Sequence, residues 1–204
     1  MSYKTPQEAF WSGEFGNQYP SRNNDEKLVT GNVVLWSRIL KSAPNVGSFL
    51  ELGCNIGLNL RALNIINKEF DLSAVEINSN AAAIAGELNI ANITCNTIID
   101  EIKLDKKFDL TFTNGVLIHI SPDHLDSVYR NLYNLSNKYI VVCEYYNPTP
   151  VMVNYRGEDD RLFKRDFAGE LMDKYNLRLI DYGFMYHRDN YFPKDDLTWF
   201  LLEK

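Results

Sequence analysis

Cysteine is scarce in this sequence, and its distribution excludes two kinds of protein. The three cysteines, Cys54, Cys95 and Cys143, are odd in number, far apart and set in apolar runs. Cysteines in that arrangement form neither a disulfide framework nor the closely spaced ligand set of a zinc site. We therefore predict reduced core thiols, no metal site and a cytoplasmic protein.

Basic charge and long apolar stretches are also lacking. The formal net charge is -6, which disfavours nucleic acid and anionic membrane surfaces as partners. No apolar run approaches the roughly 20 residues that a membrane span needs. The segment from Met1 to Trp11 carries Glu8 and other polar residues where a signal peptide would be apolar. We expect a protein that is neither exported nor membrane-spanning, with a small-molecule substrate as its partner.

The sequence does contain the alternation typical of α/β proteins. Its 204 residues, 45% of them hydrophobic, suffice for one compact domain. From Val46 onward, short runs rich in Ile, Val, Phe and Leu alternate with segments of helical period, which predicts a mostly parallel sheet with helices on both faces. The predicted strands are Ser48–Leu52, Ser73–Ile77, Ile93–Thr97, Phe108–Thr113, Tyr139–Glu144, Leu177–Tyr186 and Thr198–Leu202. The predicted helices are Gly57–Asn67, Ser79–Leu88, Pro122–Leu135 and Phe163–Tyr175.

Three regions depart from the alternation. The last two strands follow one another without a helix, which predicts an antiparallel hairpin at the sheet edge. Residues 1–45 show no strand pattern and predict a helical and aromatic lid region: a short helix, an aromatic loop and an amphipathic helix over about Asp25 to Lys41. Residues 46–204 form the remainder of the domain. Asn147 to Asp160, which contains Pro148, Pro150 and Gly157, predicts a long irregular loop.

The first strand runs into a turn with two glycines and then into a helix, over Phe49 to Gly57. In an open α/β sheet this turn lies at the ligand-binding edge. A dinucleotide fingerprint needs glycine at the first, third and sixth positions, but counting from Gly53 those positions hold Asn55 and Leu58. A ligand whose amino-acid end sits at the turn, with Glu51 holding its ammonium group, fits better than a pyrophosphate.

The second predicted strand ends in an acidic side chain, Glu76. An acidic residue roughly 20 positions after the glycine turn can accept hydrogen bonds from the hydroxyls of a ribose. Together the turn and Glu76 indicate adenosine with a tail that carries no phosphate.

These residues resemble the cofactor motifs of class I S-adenosylmethionine-dependent methyltransferases. The resemblance rests on the run Glu51 to Gly57, on Glu76, and on the strand from Phe108 followed by Asn114 to Ile120; Asn55 replaces the usual middle glycine. It implies the Rossmann-like class I methyltransferase fold, with a seven-stranded mostly parallel sheet and an antiparallel edge strand, and S-adenosyl-L-methionine as cofactor. The cofactor-binding residues that it implies are Glu51, Gly53, Asn55 and Gly57 at the methionine end, Glu76 and Ile77 at the ribose, Thr97 and Ile98 at the adenine, and Asn114, Gly115 and Val116 on the far wall.

The ends of the chain resemble a narrower group, the methylases associated with pseudaminic acid biosynthesis. That resemblance rests on Phe10 to Tyr19 with Arg22, and on Tyr155 to Phe167. It implies a sugar, nucleotide-sugar or nonulosonic acid acceptor in bacterial surface or flagellar glycan synthesis. The aromatics of the first segment can fold over the cofactor as a lid or merely cover a sheet edge. From this segment we predict Tyr19 and Arg22 as further cofactor contacts.

Methyl transfer to a sugar hydroxyl would benefit from a general base, whereas an amine or carboxylate acceptor would need none. His119 follows the fourth strand beside the expected cofactor wall, although it can equally be a loop-packing residue. His187 lies at the end of the sixth predicted strand, at the same rim. Glu144, at the tip of the fifth strand, can hydrogen-bond a hydroxyl group. The predicted catalytic residues are therefore His119, His187 and Glu144, and His124 is interpreted as a surface residue.

The predicted substrate-binding residues are aromatic, amide and basic side chains near the same edge. Tyrosines offer flat surfaces for sugar rings, and arginines bind carboxylates and phosphates in a bidentate manner. The residues are Tyr145, Asn147, Tyr155, Arg156 and Arg161. The simpler interpretation is that the tyrosines cap the core and the basic residues are solvated. Three other functions remain open: a cofactor-binding but catalytically idle regulatory module of a glycan-assembly complex, a methyltransferase for another small molecule, and a nicotinamide dehydrogenase, which Asn55 and Leu58 disfavour.

Overall fold

The predicted alternation of strands and helices is present in the structure, a computed structural model that describes residues 3–22, 25–155 and 157–204. The helices are α1 (Pro6–Ser12), α2 (Glu14–Arg22), α3 (Glu26–Leu40), α4 (Leu58–Ile66), α5 (Ser79–Glu87), α6 (Leu125–Leu135) and α7 (Phe167–Tyr175). The strands are β1 (Ser48–Leu52), β2 (Asp71–Glu76), β3 (Asn92–Cys95), β4 (Phe108–Asn114), β5 (Ser136–Glu144), β6 (Val151–Tyr155), β7 (Glu158–Lys164), β8 (Arg178–Met185) and β9 (Leu197–Glu203).

Seven strands form one sheet in the order β3-β2-β1-β4-β5-β9-β8. Strands β1 to β5 pair in parallel, whereas β9 is antiparallel to both β5 and β8. The predicted fold class is therefore confirmed, with the β8–β9 hairpin at the sheet edge. Because β1, β2, β4 and β5 are parallel, their carboxyl ends meet at one edge of the sheet, where ligands bind in open α/β folds.

The core consists of two hydrophobic clusters, one on each face of the sheet. Trp36 of α3 and Leu60 of α4 pack on the face that carries Phe49 and Phe112. Helices α6 and α7 cover the opposite face, which carries Leu50, Leu52 and Val142. Side chains that alternate along a strand point to opposite faces, so the near-continuous apolar runs read from the sequence are those of strands buried on both sides.

The N-terminal region contains three helices, α1, α2 and α3, within its described residues. The predicted short helix and the amphipathic helix are present as α1 and α3, and Asp25 caps α3 by accepting a hydrogen bond from the Lys27 N–H. The predicted aromatic loop is instead helix α2, with Pro20 inside it. Within the described ranges, no helix is long and apolar enough to cross a membrane.

Two further predictions are wrong. The expected irregular stretch from Asn147 to Asp160 forms most of an antiparallel hairpin, β6–β7. The helix expected from Phe163 begins only at Phe167, where the Asp166 carboxylate accepts the Gly169 N–H at 2.8 Å. In addition, Cys95 is exposed on the edge strand β3, whereas Cys54 and Cys143 are buried core thiols as expected.

Trp36 joins α3 to the sheet and offers a test of the fold. Its ring centroid lies 4.5 Å from that of Phe112 and 6.1 Å from that of Phe49, and the side chain is 1% exposed. We expect Trp36→Ala to lower the free energy of unfolding by about 3–5 kcal/mol, since it leaves a large cavity. Ile65→Ala, at an exposed position on α4, is the control. Urea unfolding measures both, and similar losses in the two variants would contradict this packing.

Candidate functional site

A cavity of about 260 Å³ lies at the carboxyl ends of β1, β2 and β4, beneath helices α1 and α2. Its walls come from the β1–α4 turn, the tip of β2, the segment after β4 and the N-terminal helices. Most of the predicted cofactor-binding residues line it, together with three of those predicted for catalysis or substrate binding. These are Tyr19, Glu51, Gly53, Asn55, Glu76, Ile77, Thr97, Ile98, Asn114, Gly115 and Val116, with His119, Tyr145 and Tyr155.

Three residues of the β1–α4 turn, Gly53, Asn55 and Gly57, have φ in the left-handed region. Gly53 has φ 83°, and a Cβ there would lie 2.7 Å from the side chain of Val116, so only glycine fits. Asn55, in place of the family's middle glycine, has φ 49°, a conformation that asparagine tolerates better than most residues. Its side-chain oxygen accepts the Ile56 N–H at 2.9 Å, so asparagine preserves the turn that a glycine would make.

Gly57 lies outside the cavity lining, contrary to the predicted cofactor contact. It has φ 79° and stands at the N-cap of α4. A Cβ at Gly57 would come within 3.1 Å of Leu88. Its position therefore allows the close packing of the turn against α5.

Glu76 holds the turn from the tip of β2. Its two carboxylate oxygens accept the N–H groups of Asn55 at 2.7 Å and of Asn78 at 2.8 Å. Burial raises the pKa of Glu76, and these backbone hydrogen bonds oppose that rise. A carboxylate oxygen can accept a second hydrogen bond, so Glu76 can both fix the turn and bind a hydroxyl group in the cavity.

Glu51 lies one residue before the end of β1, lines the cavity, and has a hydrogen-bond partner for only one of its two carboxylate oxygens. Its Oε1 accepts a hydrogen bond from Asn59 Nδ2 at 2.7 Å, and the Oδ1 of Asn59 accepts from Trp36 Nε1 at 3.3 Å and from Asn114 Nδ2 at 3.0 Å. The other oxygen, Oε2, is buried without a hydrogen-bond partner among the described residues. Burial raises the pKa of Glu51 to about 8, partly offset by the Asn59 hydrogen bond.

Glu144 lies beneath the cavity wall instead of in it, which does not fit the predicted catalytic role. Its side chain is 2% exposed and accepts the N–H groups of Val116 and Leu117 at 3.1 Å each, and of Ile118 at 3.5 Å. Burial raises its pKa to about 7 against the effect of these hydrogen bonds. The geometry makes Glu144 a residue that positions the segment after β4.

His119 lies at the end of the short 3-10 turn that Glu144 holds. Its Nδ1 is 2.7 Å from the carbonyl oxygen of Arg161, so Nδ1 carries the proton in the neutral ring and Nε2 is left as the acceptor. Its ring contacts Trp11, with centroids 4.6 Å apart, and Tyr155, at 5.3 Å. Burial lowers the pKa of His119 to about 4, so the imidazole is neutral at physiological pH.

His187 belongs to a second, more open groove of about 440 Å³ that adjoins the cavity. Its Nδ1 lies 2.8 Å from the Asp196 carboxylate. Tyr145 and Asp195 line both the groove and the cavity, so the two spaces are neighbours. Lys164 also lines the groove, with its ammonium 4.9 Å from the centroid of the Tyr145 ring.

The remaining predicted residues lie away from the cavity or outside the described part. Asn147 does not line the cavity and bonds within its own loop, to the carbonyl oxygen of Thr149. The Arg161 guanidinium lies 5.4 Å from the centroid of the Phe10 ring, away from the lining. Arg156 and the side chain of Arg22 lie outside the described residues.

Several polar residues that were not predicted from the sequence line the cavity from distant parts of the chain. They are Gln7 and Glu8 of α1, Asn32 of α3, Asn59 of α4, and Lys194 and Asp195 between β8 and β9; His124, interpreted as a surface residue, also lines it. Glu8 accepts a hydrogen bond from the Thr97 hydroxyl, which joins α1 to the segment after β3. A polar residue within an apolar helical stripe, as Asn32 and Asn59 are, was the one signal available in the sequence.

Comparison with known proteins shows likeness in structure without likeness in sequence. No protein-family model matches the chain, and no curated protein sequence matches it. Magnesium protoporphyrin IX methyltransferase from Synechocystis PCC 6803 with bound SAH superposes with a TM-score of 0.73 at 11% identity, over 99% of this chain and 100% of that one.

Two further methyltransferases are similar. The plantazolicin methyltransferase BpumL, in complex with a pentazolic desmethylPZN analog and SAH, gives a TM-score of 0.64 at 15% identity, over 97% of this chain and 94% of that one. The glycopeptide N-methyltransferase MtfA, complexed with SAH, gives 0.63 at 10% identity, over 85% and 89%. The chain therefore has the Rossmann-like fold of these methyltransferases, as its sequence motifs predicted.

Proposed function

We propose that the protein is an S-adenosylmethionine-dependent methyltransferase. The observation that carries the proposal is the pair of buried carboxylates at neighbouring strand tips, Glu51 and Glu76, on the floor of one cavity. The Glu51 oxygen left without a partner suits an ammonium group, and Glu76 suits ribose hydroxyls. The likeness of the fold to structures that contain SAM or SAH supports the same cofactor.

Different residues of the cavity would contact different parts of the cofactor. Glu51 would hold the ammonium, with Gly53 and Asn55 along the methionine chain. Glu76 and Ile77 would hold the ribose, and Thr97 and Ile98 would lie along the adenine. When bound, the cofactor supplies an electrophilic methyl group. Helices α1 and α2 lie over the cavity as a lid that excludes water, tied down by the Asn78 side chain, which donates to the carbonyl oxygen of Trp11 at 3.0 Å.

The acceptor that we propose is a sugar, nucleotide-sugar or nonulosonic acid that enters through the adjoining groove. The groove presents Tyr145, Tyr146 and Phe184 as flat surfaces that suit a sugar ring. It also presents Lys164 as a cation that suits an acidic group, beside Asp195 and Asp196, of which Asp196 lies against His187. His119, which is neutral and lines the cavity, would accept the proton of the acceptor hydroxyl. The assignment to pseudaminic acid-type acceptors rests on the resemblance of the chain ends.

Glu76→Gln tests the ribose site. The amide replaces a charged hydrogen-bond acceptor, so we expect S-adenosylhomocysteine to bind about 10- to 100-fold more weakly. Glu87→Gln, at an exposed position on α5, should bind as the parent protein does. Isothermal titration calorimetry measures both. Tighter binding of NADH than of S-adenosylhomocysteine by the unaltered protein would overturn the cofactor assignment in favour of a dehydrogenase.

Glu51 makes cofactor binding depend on a proton. With a pKa of about 8, the carboxyl is mostly protonated at pH 7 and has to ionise to bind an ammonium group. We therefore expect binding at pH 7 to release close to one proton per site, and Glu51→Gln to abolish the release. Titrations in buffers of different ionisation enthalpy measure it. A binding enthalpy independent of the buffer in the unaltered protein would contradict this role of Glu51.

His119→Phe tests the proposed base while keeping the ring contacts with Trp11 and Tyr155. We expect kcat to fall about 10²- to 10⁴-fold with the affinity for S-adenosylhomocysteine unchanged. Since the pKa of His119 is about 4, kcat of the unaltered enzyme should stay level from pH 8 down to about pH 5. Tyr182→Phe, at an exposed position on β8, is the control and should leave kcat unchanged. Equal losses of kcat and cofactor affinity in His119→Phe would indicate a packing role instead.

A further inference from the structure

We propose that Lys194 and Glu51 form a clamp for the zwitterionic amino-acid end of the cofactor, in which Glu51 takes the ammonium group and Lys194 the carboxylate. Both side chains line the same cavity, although they come from opposite parts of the sheet. The inference rests on the proposed function, because it assigns the residues that receive the methionine end of that cofactor.

The loop between β8 and β9 places Lys194 at the cavity by its own hydrogen bonds. The backbone N–H of Lys194 donates to the carbonyl oxygen of Tyr186 at 3.2 Å, and its carbonyl oxygen accepts the Asp196 N–H at 2.7 Å. Next to it, the carbonyl oxygen of Pro193 packs against α3, 3.6 Å from where a Cβ on Gly31 would stand. These contacts fix the backbone of Lys194 beside the cavity.

Lys194 and Glu51 interact through space without forming an ion pair. The two side chains are close enough for each charge to affect the other. Yet in residues 3–22, 25–155 and 157–204, Lys194 has no carboxylate oxygen within 4.0 Å of its ammonium nitrogen, and Glu51 Oε2 has no hydrogen-bond partner. Burial lowers the pKa of Lys194, while Cys143, Asp195 and Glu51 act in the opposite direction. A basic and an acidic side chain therefore line one cavity without pairing directly.

A zwitterion satisfies both groups at once. Groups withdrawn from water without a partner are costly, and the cost is recovered when each meets an opposite charge with a good hydrogen bond. An α-amino acid carries its ammonium and its carboxylate on one carbon, so it can bridge an acidic and a basic residue that do not reach each other. An anion alone would satisfy Lys194 and leave Glu51 unpaired.

The test compares two ligands that differ only in the amino-acid end. S-adenosylhomocysteine carries it, whereas 5′-methylthioadenosine keeps the nucleoside and the thioether without it. We expect Lys194→Met, which keeps the apolar stem, to weaken S-adenosylhomocysteine about 10- to 100-fold and to leave 5′-methylthioadenosine unchanged. Glu51→Gln should give the same pattern, and Glu76→Gln should weaken both ligands. Lys68→Met, at an exposed position after α4, is the control and should weaken neither.

Calorimetry on the full-length variants separates the outcomes. Unchanged affinity of Lys194→Met for S-adenosylhomocysteine would overturn the clamp, and a parallel fall in kcat/KM for the acceptor would assign Lys194 to the acceptor instead. An equal loss for both ligands would also overturn it, as a general distortion of the cavity. Failure of the unaltered protein to bind either ligand would reject the proposed function itself, which is a different result from a failure of the clamp alone.

Discussion

Buried carboxylates at the strand tips have to be hydrogen-bonded, and the loops of the site are arranged around that requirement. Moving a carboxylate out of water is costly unless donors replace the lost solvent. The Glu76 carboxylate, at the tip of β2, accepts hydrogen bonds from the backbone amides of the β1–α4 turn and of Asn78. The Glu144 carboxylate, at the tip of β5, accepts hydrogen bonds from the backbone amides of the segment after β4. In each case one carboxylate fixes a wall of the cavity.

Glu51 differs from these two carboxylates because one of its oxygens lacks a hydrogen-bond partner among the described residues. This is also the carboxylate that we expect to bind the cofactor. One of its oxygens is held by Asn59, which Trp36 in turn orients through the indole N–H, while the other has no partner among the described residues. Two buried side chains, Trp36 and Asn59, therefore fix the orientation of the Glu51 carboxylate at the cavity. A group so fixed and so incompletely satisfied is prepared to receive a cation. Burial raises the proton affinity of Glu51, and the Asn59 hydrogen bond offsets part of that rise.

The parts of the site that could be predicted from the sequence are those made by neighbours along the chain. Gly53, Asn55 and Glu76 follow strands directly, so strand periodicity alone locates them at the sheet edge. Asn59 and Lys194 reach the cavity only through the packing of α4 on the sheet and the path of the β8–β9 loop, which no local pattern encodes. The β6–β7 hairpin was missed because prolines and a glycine surround its short strands, a composition that indicates a loop.

The distribution of charged residues between the cavity and the groove affects which acceptor molecules can bind. If Lys194 is taken by the cofactor, His119, Tyr145 and Tyr155 present a cavity wall without a permanent charge, suited to a hydroxyl group next to the methyl donor. The anionic part of the proposed acidic sugar would then lie in the outer groove, whose described lining holds Lys164 and His187 as basic side chains and Asp195 and Asp196 as acidic ones. Tyr145 stands between the two spaces and contacts both. On this arrangement, acceptors would be selected by the distance between their reacting hydroxyl and their negative charge, which is set by the span from His119 across Tyr145 to Lys164.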